Sequence, residues 1–176
     1  MYSMQKNTHA GSVEQKGRWM FWILLPATCL ILFDEWVKYL ALQRLPLEGD
    51  LLDPEIIDFA IHKNFGVAFD IPFKMPLIIF VSVVIGIALL RIVQKHWNKD
   101  PMISFSSLLI VVAALGNLYD RVVYGYTVDY IILFGRSAIN LSDLLIVTGV
   151  ILLLFSSRKK KQREHPDQID NMEKKS

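Results

Sequence analysis

"LLIVVAALGNLYDR", Leu108 to Arg121, is apolar for eight residues and then turns polar. Read as a helix, it sets Asn117, Asp120 and Arg121 at spacings of three and four, on one face where they can meet. A helix in hydrocarbon avoids such groups, because each charge costs at least about 2.5 kcal/mol at the bilayer centre and less toward the interface. Either the polar end marks the level where this helix leaves the membrane, or something offsets its cost.

The rest of the chain supports a membrane setting. Of 176 residues 53% are hydrophobic, gathered into blocks. A bilayer core of roughly 30 Å needs about 20 mostly apolar helical residues, since lipid offers backbone groups no partners. Four segments qualify: Trp19 to Leu42, Met75 to Val93, Met102 to Tyr119, and Ser137 to Phe155, the last stopped by "SSRKKKQR". Pro76 and Pro101 stand where a helix start tolerates a missing N–H. The expected fold is a mainly α membrane protein with four transmembrane helices, a membrane domain at 19–155.

Lysine and arginine set the orientation. Lys6, Lys16 and Arg18 precede the first span, Arg91, Lys95 and Lys99 separate the second from the third, and Arg158, Lys159, Lys160, Lys161 and Arg163 follow the fourth. These regions and both termini are expected on the cytoplasmic side. The 1–18 and 156–176 tails are polar and expected to lack fixed structure. The stretch 46–74 carries Glu48, Asp50, Asp53, Glu55, Asp58 and Asp70 against Lys63 and Lys74, and is expected to face outward. Within it "IIDFAIHKNFGVAFDI" alternates and is rich in β-formers, which predicts two or three short strands. Gly66 there suits a turn or a close backbone approach.

Other classes find little support. There is no nucleic-acid signature, Cys29 is the only cysteine, and His9, His62, His96 and His165 lack ligand spacing, so neither a disulfide framework nor a metal site is expected. "LPATC" after a basic start loosely resembles a processed signal peptide, but Pro26 and Thr28 suit that poorly and the apolar run continues.

Every unusual polar group falls at the outer helix ends. Asp34 and Lys38 have ion-pair spacing, and Asn140 lies three before Asp143. Glu35, Asp70, Arg136 and Tyr126 read as ordinary interfacial residues, and Ser137 and Ser142 as helix-start residues. Asp129 and Asp143 stand in apolar surroundings and are expected on adjacent ends of consecutive helices. Two such carboxyls that meet would share a proton, one taking a proton from water while the other polarises a carbonyl. No Cys–His pair and no clear serine or lysine nucleophile offers a competing chemistry.

From Leu32 to Leu154 the chain resembles the bacterial lipoprotein signal peptidases, or signal peptidase II. "FDEWVKYL", "NFGVAF", "LGNLYDR", and "TVDYI" followed by "INLSDLLI" are similar to that family's motifs, in order. The resemblance implies a catalytic pair of Asp129 and Asp143. It implies that Asn64, Asn117, Arg121 and Asn140 line the site, that Asp34 and Lys38 support it, and that Asp120 is structural, holding Arg121 or a neighbouring backbone. It implies a membrane aspartic endopeptidase of the bacterial inner membrane, acting as a monomer without cofactor. Its partners are membrane lipid and a prolipoprotein, cut before a cysteine bearing diacylglyceryl. The chain departs from the family at "VVAA" before Gly116, at Ile139, at Tyr130 for Phe, at Ser142 for Ala, and in having only 13 residues between Asp129 and Asp143. Two rivals are an inactive relative that binds lipid or lipoprotein, and an ion carrier. The carrier would place charges near the midplane, where these spans have none.

Overall fold

The structure, a computed structural model, describes residues 7–51, 55–66 and 74–164, with side chains from 25 to 158. In chain order it forms α1 (Asn7–Arg44), a 3-10 turn (Glu48–Asp50), β1 (Ile57–Asn64), α2 (Met75–His96), α3 (Pro101–Val123), β2 (Thr127–Leu133), β3 (Ser137–Ile139) and α4 (Leu141–Glu164). Among the described residues, three helical stretches, α2, α3 and Leu141–Arg158 of α4, are long and apolar enough to cross a membrane. Pro76 and Pro101 sit in the first turns of α2 and α3, where no helical hydrogen bond is lost.

Helix α3 is the centre of the bundle and packs on α1, α2 and α4. Its buried residues include Leu109, Ile110, Val111, Ala113, Gly116, Asn117 and Asp120. Small residues bring α4 close: a Cβ on Gly149 would stand 2.6 Å from Ile110 Cγ1 and 3.2 Å from the Ser106 carbonyl oxygen. Helix α2, by contrast, exposes Leu77, Phe80, Val81, Val84 and Ile87. In a helix without an apolar partner on that side, such a row suits lipid.

The sheet is antiparallel in the order β1-β2-β3. It closes on the end of α1, where Ala41, Ile61, Val128 and Tyr130 form a buried cluster with Val37, Leu42 and Leu45 around it. All the segments that build it join one end of the helices, so the polar helix ends and the sheet gather in one place.

Three expectations need correction. Among the described residues, 46–74 holds one strand, and its ladder partner is β2, between α3 and α4, with β3 on the far side of β2. Alternation marks a strand but does not name its partner; the end of that alternating stretch, 67–71, lies outside the described residues. The fourth helix begins at Leu141 because Ser137 pairs with Leu133 as part of β3. Finally, helix extends beyond the apolar runs, back to Asn7 and on to Glu164, through Glu, Gln, Lys and Arg residues that favour helix as much as Leu does.

Candidate active site

Lys38 is the hub of the helix ends. It is 1% exposed, and its Nζ lies 3.2 Å from Asp34 Oδ2, 3.0 Å from Glu35 Oε1, 2.8 Å from Asp120 Oδ2 and 3.3 Å from Asn117 Oδ1. Asp120 Oδ2 also accepts from the Val128 N–H at 3.1 Å, which ties α3 to β2. Asp120 thus engages Lys38 and a neighbouring backbone group. Arg121, next to it in sequence, reaches elsewhere, donating to the carbonyls of Asn117 (3.2 Å) and Gly66 (3.3 Å).

Asp34 completes the N-terminus of α4. The first N–H groups of a helix have no partner within it, and here each of the first three finds one. Leu141 N–H donates to Asp34 Oδ1 at 3.2 Å, Ser142 N–H to Asp34 Oδ2 at 3.2 Å, and Asp143 N–H to Asn140 Oδ1 at 2.9 Å. Asp143 Oδ2 returns the contact by accepting from the Asn140 N–H at 3.3 Å, a reciprocal capping box. The Ser142 hydroxyl and the Tyr130 hydroxyl also donate to Asp34, at 2.6 and 2.8 Å. Two departures from the family pattern therefore converge on one carboxylate. Burial first, and Asp34 next, raise the Tyr130 phenol above its ordinary range, so it stays a donor.

The two aspartates of interest are joined through Asn140. Asp129 is fully buried in β2; its Oδ1 accepts from Asn140 Nδ2 at 2.6 Å and its Oδ2 from Asn64 Nδ2 at 3.0 Å. Asp143 Oδ1 accepts from Asn117 Nδ2 at 2.7 Å, and Asn117 Oδ1 accepts from Asn140 Nδ2 at 3.1 Å. Asn64 Oδ1 in turn accepts from the Gly66 N–H at 3.0 Å, so the backbone at Gly66 is held between Asn64 and Arg121. Burial, and after it the charge of Asp143, push the Asp129 carboxyl up to about 7, against the opposing effect of Asn64 and Asn140. The arrangement offers a carboxyl that is still partly protonated near neutrality beside a second carboxyl group, which suits paired acid and base work on a carbonyl.

All ten singled-out residues, Asp34, Lys38, Asn64, Gly66, Asn117, Asp120, Arg121, Asp129, Asn140 and Asp143, fall in this one network. Glu35, read from sequence as an ordinary interfacial residue, belongs to it through Lys38; its spacing of three from Lys38 was the available signal. Tyr126 is not isolated either, since its ring centroid lies 5.5 Å from Phe65 and 6.1 Å from Tyr124. Arg136 is exposed, and Asp70 lies outside the described residues.

A family profile described as signal peptidase (SPase) II matches residues 26–159. The lipoprotein signal peptidase of Halothermothrix orenii is 33% identical over 128 residues, 72% of this chain and 88% of that protein. That of Psychromonas ingrahamii is 28% identical over 160 residues, 85% of this chain and 90% of its own. A solved structure, described as a bacterial membrane enzyme studied by the in meso method at 2.3 Å resolution, superposes with a TM-score of 0.67 at 27% identity, covering 80% of this chain and 89% of that one. With its ordered motifs joined in a single network at one end of the helices, the chain belongs to the signal peptidase II family.

Proposed function

We propose that Asp129 and Asp143 are the catalytic pair of a lipoprotein signal peptidase that cuts a prolipoprotein just before a diacylglyceryl-bearing cysteine. The enzyme is an aspartic-type protease of the membrane. The observation that carries the residue assignment is Asn140, which donates to Asp129 through its side chain and to Asp143 through its backbone, so both carboxyls are held against one residue.

In this reading Asp129 holds the proton and Asp143 is the base. Asp143 takes a proton from a water whose oxygen attacks the scissile carbonyl, while the Asp129 proton moves toward the carbonyl oxygen. As the tetrahedral centre collapses, one hydroxyl proton returns to Asp129, the carbon–nitrogen bond breaks, and the cysteine amine leaves with a proton returned from Asp143. Asn64, Asn117 and Asn140 hold the carboxyl oxygens, and Arg121 holds the backbone at Gly66 beside them. Asp34, Lys38 and Asp120 keep the helix ends in register.

The membrane frame belongs to the same proposal. Residues 19–42 of α1 form a fourth span, 19–155 make the membrane domain, and the basic 1–18 and 156–176 segments lie in the cytoplasm. The sheet and the site then face outward, where lipid chains remain in the bilayer while the peptide reaches the interface. The test is cleavage of a diacylglyceryl-modified precursor by purified protein. Asp129→Asn and Asp143→Asn should each abolish product while keeping the wild-type elution profile in detergent. Full cleavage by either removes the pair from the mechanism.

A further inference from the structure

Strand β1 carries an irregularity next to the site. Phe59 pairs with Ile131, but His62 pairs with Asp129, so β1 spends three residues where β2 spends two. In an unbroken register Ile61 would face Asp129. The extra residue sends Ile61 into the buried cluster with Ala41, Val128 and Tyr130, and sets His62 directly across from Asp129. It also releases the Ile61 N–H from the ladder, and Pro46 captures it, donor to carbonyl at 2.8 Å. That bond lays Leu47 beside β1 and brings Glu48, at the start of the 3-10 turn, onto His62 Nδ1. Both side chains are partly exposed, at 31% and 23%. One bulge therefore places a carboxylate on a histidine and the histidine opposite an aspartate.

We propose that His62, oriented by Glu48, is a positioning residue that supports negative charge on Asp129 from across the sheet. A carboxylate on Nδ1 fixes that nitrogen as the donor and holds the ring in one orientation across from Asp129. Directly opposed residues of an antiparallel pair have side chains on the same face, close enough for charge to act. The other groups facing Asp129 are Asn64 from β1, Asn140 and Asp143 from the start of α4, and Arg121 from α3. Lys63 does not compete, because its ammonium lies over the Tyr126 ring, 5.4 Å from the centroid. His62 opposes the upward push on Asp129 from burial and from Asp143. Positive charge at this position makes Asp129 give up its proton at lower pH, so the pairing of His62 with Asp129 bears on the upper pH limit of an enzyme whose active form keeps that proton. The inference rests on the catalytic reading of Asp129.

Two readouts on the purified full chain test it: the pH profile of precursor cleavage, and an infrared titration of the protonated-carboxyl band that Asp129→Asn removes. In His62→Gln both the alkaline limb and the band midpoint should move up by roughly half a pH unit, the scale of one charge acting through a partly wet site. His62→Lys, with its permanent charge, should move both down, and Glu48→Gln should move them part of the way that His62→Gln does. Midpoints that stay in place in both His62 variants, including a uniform loss of rate at every pH, would overturn the proposal and leave His62 a structural role. Should Asp129→Asn keep cleaving, the catalytic reading fails, while the infrared midpoint still decides the coupling of His62 to Asp129.

Discussion

Lys38 shows why single residues here matter beyond their size. Buried charges are tolerated when paired, and removing one partner leaves the others uncompensated. Lys38→Met would leave Asp34 and Asp120, both fully buried, without their cation; we expect a loss on the order of 3–5 kcal/mol, read as an early unfolding transition in detergent. Asp129 offers the opposite case. Its folded carboxyl, at about 7, stands above its ordinary value of 3.8, so the folded protein holds a proton that the unfolded chain has released. That contribution is complete below about pH 4 and disappears as pH rises through about 7. Wild-type stability should therefore fall between those values by a few kcal/mol more than that of Asp129→Asn, which has no such proton to lose. Parallel pH-stability curves for the two proteins would contradict the protonated state assigned to Asp129. At this scale the sequence was most readable: spacing alone joined Asp34 to Lys38 and Asn140 to Asp143. It did not reveal that the hydroxyls of Tyr130 and Ser142 meet on Asp34, because that contact spans about a hundred residues and exists only once α1 and α4 are side by side.

Elements were legible where composition decides them and obscure where pairing does. Apolar length announced α2, α3 and α4, but the sheet was misplaced because β1 finds its partner across two intervening helices. The start of α4 was drawn too early, since Ser137 and Asn140 are both acceptable caps; what selects Asn140 is that Asp34 waits for the next two N–H groups. The short connection from Asp129 to Asp143 is resolved in the same way. It is a hairpin, with Phe134 and Gly135 both at positive φ in the turn, followed at once by the cap. Close helix packing gives this scale its prediction. Gly149→Ala must push Ile110 or the α3 backbone aside, and we expect a cost of about 1–3 kcal/mol. Gly86→Ala on α2, where nothing stands within 4 Å of the new methyl, should instead add about 0.5–1 kcal/mol through helix propensity alone. Thermal unfolding of the two variants in one detergent separates packing from propensity.

For the whole molecule, the decisive property is which side of the membrane the sheet occupies. The network places the buried carboxylates of the described residues at the end where α1 and α3 finish and α2 and α4 begin, while Arg91, Lys95 and Lys99 lie toward the opposite turn between α2 and α3. Positive residues resist transfer and stay inside, so the proposed orientation sets the β2–β3 hairpin outside and the α2–α3 turn within. Both carry an exposed basic side chain, Arg136 and Lys99, that can be replaced without touching the site. In a Cys29→Ser background, Arg136→Cys should react with a membrane-impermeant maleimide in intact spheroplasts, and Lys99→Cys only after permeabilisation. The reverse pattern would put the carboxyl pair on the cytoplasmic face. A precursor whose lipid sits in the outer leaflet could not then reach it, and the assignment of substrate would fall even if the pair itself were sound.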